Sequence, residues 1–349
     1  MGQATVIILH PPPESDGPLT ALLHEARSRL AEHQAHLFRR AGATEVRIDV
    51  GARGTSFGER LAGLAGGVEG GLVILGAGSV ARLASGDARR LVAAAAGGGR
   101  RALTNNRYSS DICAVSDAAA LRSLPALVGD NALPRWLAGS AAFSVEELPG
   151  RARLALDLDG PLDIALLAFL PRPPAGLRRL AAEHGLSVPR LAELRAVATD
   201  PRAELLVFGR TSAATLAWLE RHTACRVRFL AEERGLRTAP ATQRPARATL
   251  GRLLDQRGPE ALAAIVGELA DAAVIDLRVL LADRFGRDES GWPRPEDRYA
   301  ADLLRPKAIA DPWLRSVTEA AAEAPLPILL GGHTLVGPGL PVLLGQTTA

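Results

Sequence analysis

The densest group of chemistry-bearing residues in this 349-residue chain is Asp157-Leu-Asp159-Gly-Pro161-Leu-Asp163. In an extended segment alternate side chains share a face, so Asp157 and Asp159 fall on one side. Two hard carboxylates placed that way suit a divalent cation such as Mg²⁺ or Mn²⁺. Asp111 and Asp130 are further carboxylates that such an ion could recruit. The same run also has a structural use. Pro161 is well suited to open a helix, and an aspartate before it caps the free N–H groups there. From physical chemistry alone, capping is the favoured of the two readings.

Asn105, Asn106, Ser109, Ser110 and Asp111 form a second group, a cluster of small hydrogen-bonding side chains between apolar runs. Loops of this kind carry ligand contacts at the carboxyl ends of strands in α/β folds. They serve equally as turns, with Asn and Ser bonded to their own backbone. Both readings stand. Further on, Gly209-Arg210-Thr211-Ser212 leaves a strand and opens a helix. Free N–H groups, two hydroxyls and a guanidinium make an anion pocket, and the plainer alternative is a hydroxyl N-cap beside a surface arginine. Glu232-Glu-Arg-Gly235 follows the next strand, as a charged turn or as a carboxylate–Arg pair facing the same crevice.

In Gly331-Gly-His333-Thr-Leu-Val-Gly-Pro-Gly339 a histidine sits after an apolar strand, flanked by glycines that permit close approach. Histidine suits proton transfer near neutral pH, so His333, with Asp111 in the first half, is a candidate catalytic group. Asp276, Arg278, Asp297, Arg298 and Asp302 are available partners, read mostly as surface ion pairs. No Walker loop, H-E-x-x-H or Ser/His/Asp motif occurs, which removes those mechanisms from consideration.

These residues must be held by a fold. The chain is 47% apolar and 23% charged, enough to fill and cover a sizeable core. Its length suits two domains. The isoelectric point near 9.3 exaggerates its basicity, because the formal net charge is only +3 and Lys307 is the sole lysine. Arginines that stay protonated raise the isoelectric point without building a strong field. The densest basic stretch, Arg226–Arg257, is interrupted by acids, and aromatics are only 4%. That composition speaks against nucleic-acid binding, which uses basic tracks with stacking platforms. Cys113 and Cys225 lack metal or redox spacing and read as buried, reduced thiols, with a disulfide the remaining alternative. The opening residues run straight into an apolar strand, and no apolar run reaches the length of a membrane span. The expectation is a cytoplasmic protein with no membrane association.

Hydrophobic periodicity predicts strands at 5–9, 45–50, 71–75, 102–104 and 112–115, and helices at 19–41 and 85–96. After the proline-rich joint at 171–174 it predicts a helix over 177–194. Strands are expected at 204–208, 226–230, 272–276 and 327–330, with helices at 211–222, 247–256, 259–269 and 316–323. Residues 240–247 and 286–294 read as loops. The alternation predicts an α/β fold: residues 1–170 as a mainly parallel sheet with helices on both faces, 171–195 as joint and bridging helix, and 196–349 as a second, smaller α/β domain.

The run Leu156-Asp-Leu-Asp-Gly-Pro-Leu-Asp163 is similar to the D-x-D-T-P-x-D-L segment that closes many nucleotidyltransferases of the GT-A fold. Ala41–Val46, Leu72–Leu83, Ala102–Asp111 and Gly129-Asp-Asn131 resemble further segments of that superfamily in matching order, nearest to its 2-phospholactate guanylyltransferase branch. The resemblance covers about residues 3–170. It implies a Rossmann-like nucleotide-binding domain that uses Mg²⁺ or Mn²⁺ at Asp157 and Asp159. It further implies transfer of a nucleotidyl group from an NTP to a small phosphorylated or carboxylated molecule. The chain departs from the pattern at two places. His10-Pro-Pro-Pro13 stands where the family has a Gly-rich phosphate loop, and Gly76-Ala-Gly78 where it has a metal-binding aspartate. The competing expectation is a non-catalytic nucleotide- or anion-binding protein, or an enzyme of another class, with its site between the two halves around Arg210, Glu232 and His333. In either case the partner is a small-molecule or nucleotide ligand. An oligomeric interaction protein, built on a broad apolar patch, is the third alternative.

Overall fold

The computed structural model describes residues 2–13, 15–51, 56–127, 129–236 and 244–345. Residues 240–243 of the expected loop and the Asp130 side chain lie outside the described residues. The chain forms two compact units. The first comprises Met1–Pro13 and His24–Leu158, and the second Glu14–Leu23 and Asp159–Ala349. The division therefore falls between the two aspartates of the D-x-D run, ahead of the proline-rich joint.

The first unit holds strands β1 (Ala4–Leu9), β2 (Glu45–Asp49), β3 (Gly71–Gly76), β4 (Arg101–Thr104), β5 (Ile112–Val115) and β6 (Ser144–Glu147). They lie in the order β2-β1-β3-β5-β4-β6, and β5 alone runs antiparallel to its neighbours. Its helices are α1 (Pro18–Arg40, from His24 onward), α2 (Phe57–Ala65), α3 (Ser85–Ala95) and α4 (Leu133–Gly139). The period-two alternation of a strand explains the layering. Val6, Ile8, Val73 and Leu75 pack with Phe38 of α1 and Leu91 of α3. Ile7, Leu72 and Ile74 pack on the opposite face with Leu61 of α2 and Leu137 of α4. Each fully buried side chain of this size contributes roughly 1.5–3 kcal/mol.

The second unit holds a smaller sheet, β7 (Glu204–Gly209), β8 (Arg226–Ala231), β9 (Ala272–Asp276) and β10 (Ile328–Gly331). Its order is β10-β9-β7-β8 and every pair is parallel. The helices are α5 (Pro161–Ala168), α6 (Leu177–Glu183), α7 (Leu191–Thr199), α8 (Ala213–His222), α9 (Thr249–Arg257), α10 (Leu262–Gly267), α11 (Leu277–Phe285), α12 (Pro295–Asp302), α13 (Pro312–Ala322), α14 (His333–Val336) and α15 (Leu340–Leu343). Leu206, Phe208, Ile275 and Leu330 face a core completed by Leu254, Leu280 and Val317. The α/β class and the two sheets agree with the sequence pattern. The single helix expected over 177–194 is instead two, because Gly185 and Arg190 both take left-handed backbone angles between α6 and α7. Among the described residues no helix is long and apolar enough to cross a membrane. Cys113 and Cys225 are buried free thiols, and burial pushes the Cys113 thiol up to about 12.

Candidate functional site

In each sheet one pair of neighbouring strands marks a change in the direction of winding. From β1 the chain moves outward to β2 and returns past β1 to β3. From β7 it moves out to β8 and returns past β7 to β9. The carboxyl ends at such a switch point form a crevice where open α/β sheets bind ligands.

In the first unit that crevice is closed by the chain itself. Leu158 N–H donates to the Gly78 carbonyl and Ala81 N–H to that of Leu156, each at 2.8 Å. A Cβ at residue 78 would stand 2.8 Å from the Leu158 oxygen, so glycine is required beneath this crossing segment. Arg27 Nε of α1 donates to the same Leu158 carbonyl at 2.9 Å. Asp157, 7% exposed, accepts the Val80 N–H at 2.7 Å. Val80 has φ of +46°, an unfavourable angle for a β-branched residue. The aspartate thus holds a strained turn. At the end of β1, burial first, then the charges of His24 and Arg27, lower the His10 pKa to about 4. His10 Nε2 lies 2.7 Å from Ser28 Oγ, and its ring stacks on His24 with centroids 4.3 Å apart.

The polar loop between β4 and β5 is also knitted together internally. Asn105 Nδ2 donates to Asp111 Oδ2 at 2.7 Å and to the Leu154 carbonyl, while its Oδ1 accepts the Asp111 N–H. Ser110 Oγ lies 2.8 Å from Thr104 Oγ1. Asn106 Oδ1 accepts from Tyr108 N–H and Arg151 Nη2, and Ser109 Oγ donates to Asn131. Asn105, Asn106, Ser110 and Asp111 are therefore gathered in one place, in the hydrogen-bonding pattern of a turn. Asp157 and Asp159 belong to different units. Among the described residues no three His, Cys, Asp or Glu side chains are grouped to hold a metal ion. The helix that Pro161 opens is capped by neither aspartate of the D-x-D pair. Asp163 reaches back from the first turn of α5 to accept the N–H groups of Asp159 and Gly160 at 2.9 and 2.8 Å.

The second crevice is built from charged side chains. Asp276 ends β9 with no exposed surface and caps α11 by accepting the Arg278 N–H at 3.2 Å. Arg210, just past β7, grips it with Nε at 2.6 Å and Nη2 at 3.1 Å. Gly209 makes this approach possible. Its φ is +121°, and a Cβ there would lie 2.3 Å from the Asp276 Cβ. Burial alone would raise the Asp276 carboxyl, but Arg210, Arg278 and His333 together hold it below the ordinary carboxylate range. His333, half-buried at the start of α14, is thus close enough for its charge to be felt. Behind this pair, Arg278 of α11 makes a two-pronged bond to Asp302 of α12, with Nη2 to Oδ2 at 2.7 Å.

Asp276, Arg278, Asp297, Arg298 and Asp302 are buried, not surface ion pairs as the sequence suggests. Asp297 pairs locally with Arg294, three residues before it, whereas Asp276, Arg278, Arg298 and Asp302 pair with residues of other elements, where local spacing gives no sign of the pairing. Ser212 is the N-cap of α8, its hydroxyl accepting the Thr215 N–H. Thr211 and Thr334, each 1% exposed, have buried hydroxyls that find no partner among the described residues. Glu232 accepts the Thr249 N–H, and Glu233 pairs with Arg287.

Fold and site together describe a two-unit α/β protein with a charged crevice at the carboxyl edge of its second sheet. No protein-family model matches the chain, and no curated protein is similar to it in sequence.

Proposed function

We propose that the second unit binds a small anionic molecule, bearing phosphate or carboxylate, at the carboxyl ends of β7, β9 and β10. The observation that carries this reading is the Arg210–Asp276 pair. A guanidinium has five N–H donors in a fixed fork. Asp276 takes the Nε–H and one on Nη2, and the remaining three find no partner among the described residues. The carboxylate therefore orients the guanidinium in advance without using up its donors, as bidentate anion recognition requires. The first turn of α8, just after Arg210, adds N–H groups and the positive end of a helix dipole. Two buried hydroxyls that find no partner among the described residues, Thr211 beside Arg210 and Thr334 beside His333, add polar atoms suited to a ligand or water. His333 supplies a proton carrier near this anion, which suits acid–base chemistry if the ligand is also a substrate. Two unpaired cysteines support a reducing compartment such as the cytoplasm.

Thermal-shift and calorimetric titrations with inorganic phosphate, pyrophosphate, citrate and sugar phosphates test the proposal, using wild type and Arg210→Lys. Lysine keeps the charge beside Asp276 but loses the fork. Anions are expected to stabilise the wild type and to bind the variant at least about tenfold more weakly, near 1.4 kcal/mol. Absence of any anion-dependent shift, or equal binding by the variant, would overturn it.

A second reading is nucleotidyl transfer by residues 3–170 with Mg²⁺ or Mn²⁺. Its support is the resemblance of residues 3–170 together with the mainly parallel sheet that carries them. Asn105, Asn106, Ser109, Ser110 and Asp111 would contact the nucleotide in that reading. Titration with each NTP, with and without metal, separates the two. A metal-dependent shift for one base, lost in Asp159→Ala, favours transfer, whereas metal-independent shifts with simple anions favour the second unit.

A further inference from the structure

The first unit has a groove at the amino-terminal edge of its parallel strands, at the opposite strand ends from His10 and the Asn105 loop. The groove, of about 600 Å³, lies between the start of β3, the turn from α3 into β4, and the segment after β5. That volume falls within the roughly 300–1,000 Å³ of small-molecule sites. Its floor is largely bare backbone, because Gly70, Gly98 and Gly99 contribute no side chains. Its lining residues include two acids, Glu69 and Asp117, and two arginines, Arg100 and Arg122.

These four charges are not paired with one another. Asp117 uses one oxygen to accept the Ala119 N–H, and Arg100 donates Nη1 to the Ala141 carbonyl while lying over the Phe143 ring. Among the described residues no ion pair involves Glu69, Arg122 or Asp117. A groove lined by one sign of charge selects the opposite ion. One that holds both signs apart, each with unused hydrogen-bonding atoms, matches a molecule that itself carries both. The carboxyl end of α3, an eleven-residue helix ending two residues before the groove begins at Gly97, adds a partial negative charge that favours the cationic group.

We propose that this groove binds a zwitterionic small molecule of amino-acid size, its ammonium facing Glu69, Asp117 and the α3 terminus and its carboxylate facing Arg100 and Arg122. The site is independent of the anion crevice in the second unit.

The test is a thermal-shift screen of the full-length chain against the standard amino acids, with ethylamine and acetate as single-charge controls and calorimetry on any hit. Two variants accompany it. Arg122→Ala removes one anion contact, and Gly98→Trp adds a large side chain at a groove-lining position where no atom stands within 4 Å of an added Cβ. At least one zwitterion is expected to stabilise the wild type and Arg210→Lys alike, while binding weakens at least about tenfold in Arg122→Ala and disappears in Gly98→Trp. The proposal is overturned if no zwitterion shifts the melting point at about 10 mM. It is equally overturned if the single-charge controls do as well, or if a hit binds Gly98→Trp unchanged.

Discussion

The two sheets reverse their winding at equivalent places, β1 beside β3 and β7 beside β9, yet the two crevices are finished in opposite ways. In the first, backbone meets backbone. The 156–158 segment lies across Gly78–Ala81, Arg27 closes over Leu158, and Asp157 holds a strained Val80. In the second, side chains hold one another at the mouth, and the guanidinium of Arg210 keeps three N–H donors without a partner among the described residues. Topology says where a ligand can sit. Whether one does depends on which polar atoms the protein has left unused.

The comparison is broken most directly by removing the carboxylate from each crevice. Asp276→Ala leaves Arg210 without its buried counter-charge and uncaps α11, so a loss of about 3–5 kcal/mol is expected. Asp157→Ala removes the charge-assisted bond to the Val80 N–H, with an expected cost of at least about 1.5–3 kcal/mol. Urea unfolding of the two variants measures both. A larger loss at Asp157 would mean that the first crevice, not the second, is organised around a charged centre.

That asymmetry was only partly legible in the sequence. Continuous apolar runs such as Leu72–Leu75 and Leu205–Phe208 mark strands covered on both faces, and the alternation with helices gives the class. The antiparallel course of β5 has no local signature, because Ile112–Val115 would be buried in either direction. Arg210, Thr211 and Ser212 stand out as a strand-to-helix turn, and Ser212 is indeed a cap. What spacing does not reveal is the partner of Arg210, because Asp276 comes to it only through strand pairing. Arg278 and Asp302, likewise, look like solvated charges until α11 and α12 are packed. The glycine at 209 was the one available hint, since close backbone approach is a reason for glycine at a strand end. In the D-x-D run the residue that caps α5 is Asp163, which lies inside the helix's first turn and not before Pro161 where capping chemistry is expected.

Asp163 sharpens the second half of the comparison. Burial first, then the nearby Asp159 and Asp302 charges, push its carboxyl up to about 8, although the Gly160 and Asp159 N–H groups oppose the shift. The folded state therefore holds a proton that the unfolded chain releases near 3.8, the ordinary aspartate value. Stability is fully present below that value, falls as pH rises through the interval, and levels off above about 8. The steepest slope for one proton is about 1.4 kcal/mol per pH unit. Asp163→Asn keeps an oxygen for the two N–H groups and cannot ionise, so it should flatten the slope between pH 5 and 8 in denaturation curves. An unchanged slope would place the linked proton elsewhere.

The prediction at His10 is the most discriminating for the first crevice. Ser28 Oγ donates its only hydrogen to the His24 carbonyl at 3.0 Å, so the 2.7 Å contact is satisfied when His10 Nε2 carries a hydrogen and donates to Ser28. Burial, then His24 and Arg27, disfavour a second proton, which lowers the pKa to about 4. Here the sign is opposite to that at Asp163. The unfolded histidine gains its proton below 6.5 while the folded one stays neutral to about 4, so stability falls as the medium is acidified through that window. Nitrogen NMR of the imidazole should show one fixed neutral tautomer from pH 8 down to about 5. Titration of His10 near its ordinary value would mean that water and ions reach the end of β1. The first crevice would then be as open to a ligand as the second, and the contrast between the two would fail.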